Sequence, residues 1–107
     1  MPVNIEKNAS ELKISPEVYR RILTSAILQA EEDIPKIESA LSQGDIPTIQ
    51  TISHRWKGDF ANLRLELLSR RAKELNDAAK TSKELGLLRD LFAEFYMDFQ
   101  KLKTALT

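Results

Sequence analysis

The sequence predicts an all-α fold, an antiparallel four-helix bundle with a short N-terminal helix or arm. Apolar residues recur at alternating spacings of three and four in four segments, and no segment alternates with period two. The three glycines and four prolines fall mostly where those segments begin or end. A chain of 107 residues is long enough for one domain. We therefore expect the bundle over residues 16–107, with residues 1–15 as an arm or a short helix that covers one end.

The first long helix is predicted to begin after Ser15, a residue type that caps helices, because proline follows it in the first turn. Pro35 lies inside the helix and predicts a kink, since proline lacks the amide proton that the helix would use. Gly44 is expected to end this helix and Asp45 to cap the next one. The apolar stripe consists of Leu23, Ile27, Ala30, Ile34, Ile37 and Leu41.

The second helix is predicted from about Ile46, and the third carries a stripe that starts at Leu65. The phase of the stripe changes between Leu63 and Leu65, so we infer a turn there although neither glycine nor proline marks it. The fourth helix is predicted from near Glu84 and has the most regular stripe of the four. The inward residues of the second helix are Ile46, Ile49, Ser53, Trp56, Phe60 and Leu63.

Composition excludes several classes of function. Sixteen basic and sixteen acidic residues give a net charge of zero, which argues against sequence-independent binding of nucleic acid. The absence of cysteine excludes disulfides and thiol catalysis. With one histidine and no glycine-rich phosphate loop, we expect no metal, no cofactor and no ATP site. Neither a signal peptide nor an apolar run of about 20 residues is present, so we expect a cytoplasmic monomer that does not bind membranes.

The only histidine, His54, is predicted to face solvent. At roughly 100° per residue, the apolar side chains of the second helix cluster within an arc of about 120°. His54 lies roughly 155° from the middle of that arc. Its neighbours on the helix surface, at i−4, i+3, i+4 and i+7, are Gln50, Lys57, Gly58 and Ala61.

These neighbours suit a histidine that accepts a phosphoryl group. An exposed imidazole in its neutral form has a ring nitrogen without a proton, which is nucleophilic. Lys57, one turn further on, can offset the charge of phosphoryl oxygens. Gly58 and Ala61 leave a shallow surface over which a donor protein can approach. A glycine inside a helix costs about 1 kcal/mol of stability relative to alanine. The approach of a donor protein would explain why glycine occupies position 58.

The motif around the histidine resembles that of a known family. The run HRWKG over residues 54–58, followed by ANL over residues 61–63, is similar to the His-x-x-Lys-Gly signature of histidine-containing phosphotransfer (HPt) domains. The run LSQGD over residues 41–45 also resembles the connection into the histidine-bearing helix of that family. As a pattern of helices, the resemblance extends from about residue 18 to the C-terminus, and it is specific over residues 44–68.

The resemblance implies a role in two-component phosphorelays. Domains of this family accept a phosphoryl group from a receiver-domain aspartate or from a sensor histidine kinase, and pass it on. It implies that His54 is the phosphoryl acceptor, that Lys57 contacts the phosphoryl oxygens and that Gly58 opens the docking surface. The residues expected to contact a partner are Gln50, Thr51, Arg55, Gly58, Ala61 and Asn62.

Two positions depart from the family pattern. Asp59 stands where the family usually has a small residue, and Arg64 stands where it usually has the glycine of a turn. These departures concern the turn and some partner contacts, whereas the histidine, lysine and glycine of the signature are intact. A second hypothesis stays open at this point, a non-catalytic helical interaction module that binds partners through the same exposed face.

Overall fold

The computed structural model describes residues 3–106, and 87% of these are helical. The predicted all-α fold is confirmed, since no strand occurs in this range. Residues 1–2 of the predicted arm and residue 107 of the predicted bundle lie outside the described residues. The helices are α1 (Ile5–Glu11), α2 (Pro16–Gln43), α3 (Ile46–Asn62), α4 (Glu66–Thr81) and α5 (Leu85–Leu106).

The boundaries of α2 and the start of α3 follow the capping residues in the sequence. Ser15 Oγ accepts a hydrogen bond from the Val18 amide at 3.1 Å, and an Asp45 carboxylate oxygen accepts one from the Thr48 amide at 3.3 Å. Gly44 has a φ of 70°, the left-handed conformation that ends helices at low steric cost. These bonds satisfy amides that a helix start leaves without partners.

Pro35 does not end α2. The helix is continuous over 28 residues, and Pro35 is exposed within it. The apolar stripe on either side of the proline stays buried along one face, so packing holds both halves on the bundle. The kink predicted at Pro35 stays a prediction.

The turn inferred between Leu63 and Leu65 is present and joins α3 to α4. Arg64 adopts a φ of 62°. Its amide donates to the Ala61 carbonyl at 3.0 Å, and the Leu65 amide donates to the Phe60 carbonyl at 2.9 Å. The second of these is the six-to-one bond of a Schellman motif, which favours glycine at the left-handed position. The backbone of this turn is therefore one that glycine adopts easily, although this chain has arginine there.

The four long helices enclose one core. α3 packs most extensively on α4 and also on α2, while α4 packs on α5. α5 closes the bundle on α2, where Lys103 pairs with Glu31 at 2.9 Å and Arg89 donates to the Leu41 carbonyl at 3.1 Å. These two contacts show that α2 and α5 run antiparallel. The largest fully buried side chains are Trp56, Tyr19, Phe60, Phe95, Phe99, Leu23, Ile37, Ile49, Leu68, Leu75, Leu88 and Leu102.

The short helix α1 packs on α2. Tyr19 of α2 is buried, and its hydroxyl donates to the Leu63 carbonyl at 2.6 Å while it accepts from Asn8 of α1 at 3.2 Å. Burial raises the pKa of this phenol above its ordinary value, against a smaller opposing effect of the bond from Asn8. One side chain thus ties α1 and α2 to the end of α3. Among residues 3–106, no helix has both the length and the apolar character needed to cross a lipid bilayer.

Candidate functional site

His54 is exposed near the middle of α3, as the helical wheel predicts. On the opposite side of the same helix, Trp56 and Phe60 are each 1% exposed. The Trp56 ring stacks on Phe95 of α5, with centroids 4.3 Å apart and planes inclined by 7°. Because these aromatic contacts fix the rotation of α3, they also fix the direction in which His54 points.

The surface beside His54 is open at Gly58 and Ala61. Apart from its chain neighbours and the adjacent backbone of α3, no described atom lies within 4 Å of the position that a Cβ atom at Gly58 would occupy. Ala61, one turn further on, is also exposed. Packing within the bundle therefore does not require glycine at position 58, since a larger side chain would extend into open space. The absence of a side chain matters only to a molecule that approaches from outside.

α4 holds one flank of α3. Gln50 Nε2 donates to the Ala79 carbonyl at 2.9 Å, and Ser69 Oγ donates to the Lys57 carbonyl at 2.8 Å. Further along, Ala61 and residues of α4 line an open groove. We call Gln50, Lys57 and Ala61 the α4-side flank. The lysine of the signature therefore lies on a stretch of backbone that α4 fixes.

The other flank of α3 faces α2. The Arg55 guanidinium forms an ion pair with Asp33 of α2, whose side chain is 1% exposed whereas that of Arg55 is 43% exposed. Asp59 and Asn62 line an open groove. The other residues of that groove are Leu12, Ile14, Arg21, Ile22, Ser25, Ala26, Gln29 and Leu63. We call Arg55, Asp59 and Asn62 the α2-side flank.

The residues expected to contact partners thus differ in their surroundings. Thr51, Gly58, Ala61 and Asn62 are exposed, and the Thr51 hydroxyl donates only to the Pro47 carbonyl of its own helix at 3.0 Å. The side chains of Gln50 and Arg55 are bonded to neighbouring helices, as described above. Those two therefore have a structural role whether or not a partner touches them.

A polar network under the histidine was not predicted from the sequence. Asn76 of α4 is fully buried, and its Nδ2 donates to the Gln50 carbonyl at 2.9 Å and to Ser53 Oγ at 3.2 Å. In an α-helix the Gln50 carbonyl also accepts the amide of His54, four residues on. The sequence signal was a polar residue at an inward position of each stripe, Ser53 in α3 and Asn76 in α4.

Two further polar residues of the bundle were also missed. Asp33 lies on the inward face of α2, between Ala30 and Ile37. In the sequence it follows two glutamates, which gives the appearance of an acidic run on the surface. Arg71 of α4 bonds Asp98 of α5 through its Nε at 2.9 Å, away from His54. In both cases the signal was a charged residue beside an apolar stripe.

An exposed ion pair lies on α4. Lys73 Nζ lies 2.7 Å from Asp77 Oδ2, and both side chains are exposed. The hydrogen bond from Lys73 is the main cause that lowers the pKa of Asp77 below its ordinary value, and the charges of Lys57 and Lys80 act in the same direction. Within the described part of the chain, no three His, Cys, Asp or Glu side chains meet in a group able to hold a metal ion.

An exposed histidine in the third of five helices, beside an open surface and a lysine, is the arrangement that the resemblance implies. A family model for the Hpt domain matches residues 21–107. The chain belongs to the Hpt domain family. Membership supports a phosphotransfer role in two-component signalling, in which Hpt domains interact with histidine kinases and receiver domains. Neither the curated proteins nor the solved structures give a match to this Hpt domain.

The match begins within the second turn of α2 and runs to the end of the chain, so it contains all the residues of both flanks of α3. The helix α1 lies before the matched region. In this Hpt domain, α1 nevertheless contributes Leu12 and Ile14, from its C-terminal end and the turn after it, to the groove beside Asn62.

Proposed function

We propose that this Hpt domain carries a phosphoryl group on His54 and exchanges it with receiver-domain aspartates or a sensor histidine kinase. The observation that carries the proposal is the exposure of His54 in the middle of a rigid helix, beside open space at Gly58. In a family whose members transfer phosphoryl groups, it is the only histidine in the sequence.

The transfer from a receiver is a simple displacement. The ring nitrogen of His54 that bears no proton attacks phosphorus with its lone pair, and a nitrogen–phosphorus bond forms. The bond from phosphorus to the aspartyl oxygen of the receiver breaks, and that oxygen leaves with the electron pair as a carboxylate. The other ring nitrogen gives up its proton to water, so that the phosphorylated ring is neutral. Transfer back to a second receiver follows the same path in reverse.

Lys57 has an electrostatic role in this proposal. Charge on the phosphoryl oxygens must be balanced while the group passes between the two proteins, and a fixed cation does this without reorganisation. No carboxylate lies within the 4.0 Å limit of an ion pair from the Lys57 ammonium among residues 3–106. The cation of the signature is therefore available to the phosphoryl group.

Gly58, Ala61, Thr51 and Asn62 form the exposed surface over which a receiver approaches in this proposal. The receiver must bring its aspartate to about 3–3.5 Å from the ring nitrogen, and projecting side chains on this surface would prevent that approach. We expect the chain to act as a monomer in the cytoplasm, where receivers and the catalytic parts of histidine kinases meet. We expect neither nucleic acid nor a membrane as a partner.

The test is transfer of radioactive phosphate from a phosphorylated receiver to the wild-type chain and to His54→Gln. We expect an acid-labile label on the wild type and none on His54→Gln. Among residues 3–106 the exposed side chain of His54 has no hydrogen bond or ion pair. The substitution should therefore change the free energy of unfolding by less than about 0.5 kcal/mol and leave the thermal midpoint nearly unchanged. A wild-type chain that binds receivers tightly without ever taking label would instead favour the non-catalytic interaction module. Label that persists on His54→Gln would show that another residue is the acceptor.

A further inference from the structure

The seam between α3 and α4 has a regular register. Ser69 Oγ donates to the Lys57 carbonyl at 2.8 Å, and Asn76 Nδ2 donates to the Gln50 carbonyl at 2.9 Å. Ser69 and Asn76 are as far apart in α4 as Gln50 and Lys57 are in α3. The first residue of the α4 pair bonds the second residue of the α3 pair, and the second bonds the first. α3 and α4 therefore run antiparallel, and equal steps along the two helices keep them level with each other.

His54 and Lys73 occupy equivalent positions on the two sides of this seam. The two residues of α3 whose carbonyls accept these bonds are at i−4 and i+3 of His54, and the two residues of α4 whose side chains donate them are at i−4 and i+3 of Lys73. Residues at these spacings share one face of a helix. Because the helices run antiparallel, His54 and Lys73 thus lie within about one residue of the same level, roughly 1.5 Å along the helix axis, on the two exposed rims of the seam.

The Lys73 ammonium is within reach of a group on His54. Packed helix axes lie about 8–10 Å apart, and lysine carries its charge on a flexible four-carbon stem. The Lys73 side chain is 61% exposed, so most of its surface contacts solvent rather than the bundle.

Asp77 holds this lysine while His54 is unmodified. Lys73 Nζ lies 2.7 Å from Asp77 Oδ2, one turn along the same helix. The charge of Lys57 also reaches Asp77 and helps to lower its pKa. The carboxylate that binds Lys73 is therefore also influenced, more weakly, by the charge of the lysine of the Hpt signature. Exposed pairs of this kind are weak, and a better acceptor can replace the carboxylate.

We infer that Lys73 is a second cation for the phosphoryl group on His54, and that Asp77 is the counter-ion that it leaves when that group arrives. The inference rests on the proposed function. A phosphoryl group offers three acceptor oxygens and a charge of roughly −1.5 to −2, against a single charge on the carboxylate. Lys73 therefore binds the phosphoryl group in preference to Asp77. Lys57 and Lys73 then contact the phosphoryl group from the two sides of the seam.

The first experiment measures the rate at which phosphoramidate labels the purified full-length chain. This small donor needs no docking surface, so it reports on charge alone. We expect Lys73→Ala to slow labelling roughly two- to fivefold, the range expected for one exposed charge contact. Lys73→Arg keeps the charge and should restore most of the rate. The matched control is Lys101→Ala, which removes an exposed lysine from α5 and should label like the wild type.

A second experiment tests the role of Asp77. Asp77→Asn releases Lys73 and should speed labelling in the wild-type background but have little effect in the Lys73→Ala background, as a double-mutant cycle measures. Equal acceleration in both backgrounds would show that Asp77 only repels the anionic donor. If the wild type labels while Lys73→Ala and Lys101→Ala have the same rate, the role of Lys73 is wrong although the proposed function stands. A wild type that no donor labels overturns the proposed function itself.

Discussion

The two flanks of α3 differ in what they contribute to His54. The α4-side flank is joined to its neighbour by hydrogen bonds to backbone carbonyls, and it carries the lysine of the signature. The α2-side flank is joined to its neighbour by one ion pair to a buried carboxylate, and it borders an apolar groove. The α4 side thus supplies the bonds that position α3 and the lysine of the signature, whereas the α2 side supplies a stabilising ion pair.

This difference has a physical basis. Hydrogen bonds to the backbone fix the position of α3 along its axis relative to α4, and therefore the position of the imidazole along that axis. An ion pair made through a long arginine side chain tolerates small shifts, so it stabilises the packing without setting the level of the helix. Substitutions on the two flanks should therefore change different measurements. Those on the exposed surface and on the α4 side should change transfer, and those on the α2 side should change unfolding.

The largest effect is expected on the surface between the flanks. Gly58→Leu should slow transfer from a phosphorylated receiver about 100-fold, because the side chain stands in the path of the incoming aspartate. The fold should persist, with stability up to about 1 kcal/mol higher, since leucine favours a helix more than glycine does. Open space at this position lets the side chain extend without strain. Labelling by phosphoramidate should stay near the wild-type rate.

Lys57→Ala is the matched contrast on the α4-side flank. It removes charge rather than access, so labelling by the receiver and by phosphoramidate should fall together, by about tenfold or more. Equal loss with both donors in Gly58→Leu, or normal labelling by phosphoramidate in Lys57→Ala, would show that steric and electrostatic roles are assigned to the wrong residues.

The next effect is expected on the α2-side flank. Arg55→Ala leaves the buried Asp33 carboxylate without its main partner, and this should lower the free energy of unfolding by about 2 kcal/mol. Lys36, whose ammonium lies 3.9 Å from Asp33, and the half-exposure of Arg55 keep the loss below that of a fully buried pair. Chemical denaturation measures it.

The same variant should still be labelled by phosphoramidate at nearly the wild-type rate, because the bonds to α4 are intact. Arg55→Lys, which keeps the charge but not the planar fork, should recover only part of the stability. A strong loss of labelling in folded Arg55→Ala would show that the α2 side also positions His54, and the proposed division between the flanks would fail.

The sequence predicted the direction of His54 because that depends on one helix alone. Periodicity of Ile49, Trp56 and Phe60 defines the inward face of α3, and the histidine lies opposite to it. The caps at Ser15 and Asp45 are local in the same sense, since each bonds an amide three residues away. Both kinds of prediction were therefore possible before any helix was placed against another.

The contacts between helices were not predictable in this way. Arg55 and Asp33 are 22 residues apart in the chain, and Asn76 and Ser53 are 23 apart. Their pairing depends on how α2 and α4 are rotated and shifted against α3, which the stripe of a single helix does not determine. The sequence accordingly indicates Arg55 only as a partner contact and does not indicate Lys73 as a residue of the site.

The smallest effect is expected at Arg64, where the two flanks end in the turn to α4. Its φ of 62° is a left-handed conformation that costs an L-residue roughly 1–2 kcal/mol. Arg64→Gly removes this cost but gives the unfolded chain more freedom, so the net gain in unfolding free energy should be about 0.5–1 kcal/mol. Thermal and chemical unfolding measure it.

The control at this position is Arg64→Ala. It removes the same side chain, including the exposed ion pair with Glu11 at 3.8 Å, but keeps the strained backbone. Alanine should therefore be no more stable than arginine, so that the gain is specific to glycine. Transfer should be unchanged in both variants, because the turn lies beyond the bonds that set the level of His54. If Arg64→Gly gains nothing over Arg64→Ala, arginine is not strained in this turn, and the departure from the glycine usual in the family has no cost.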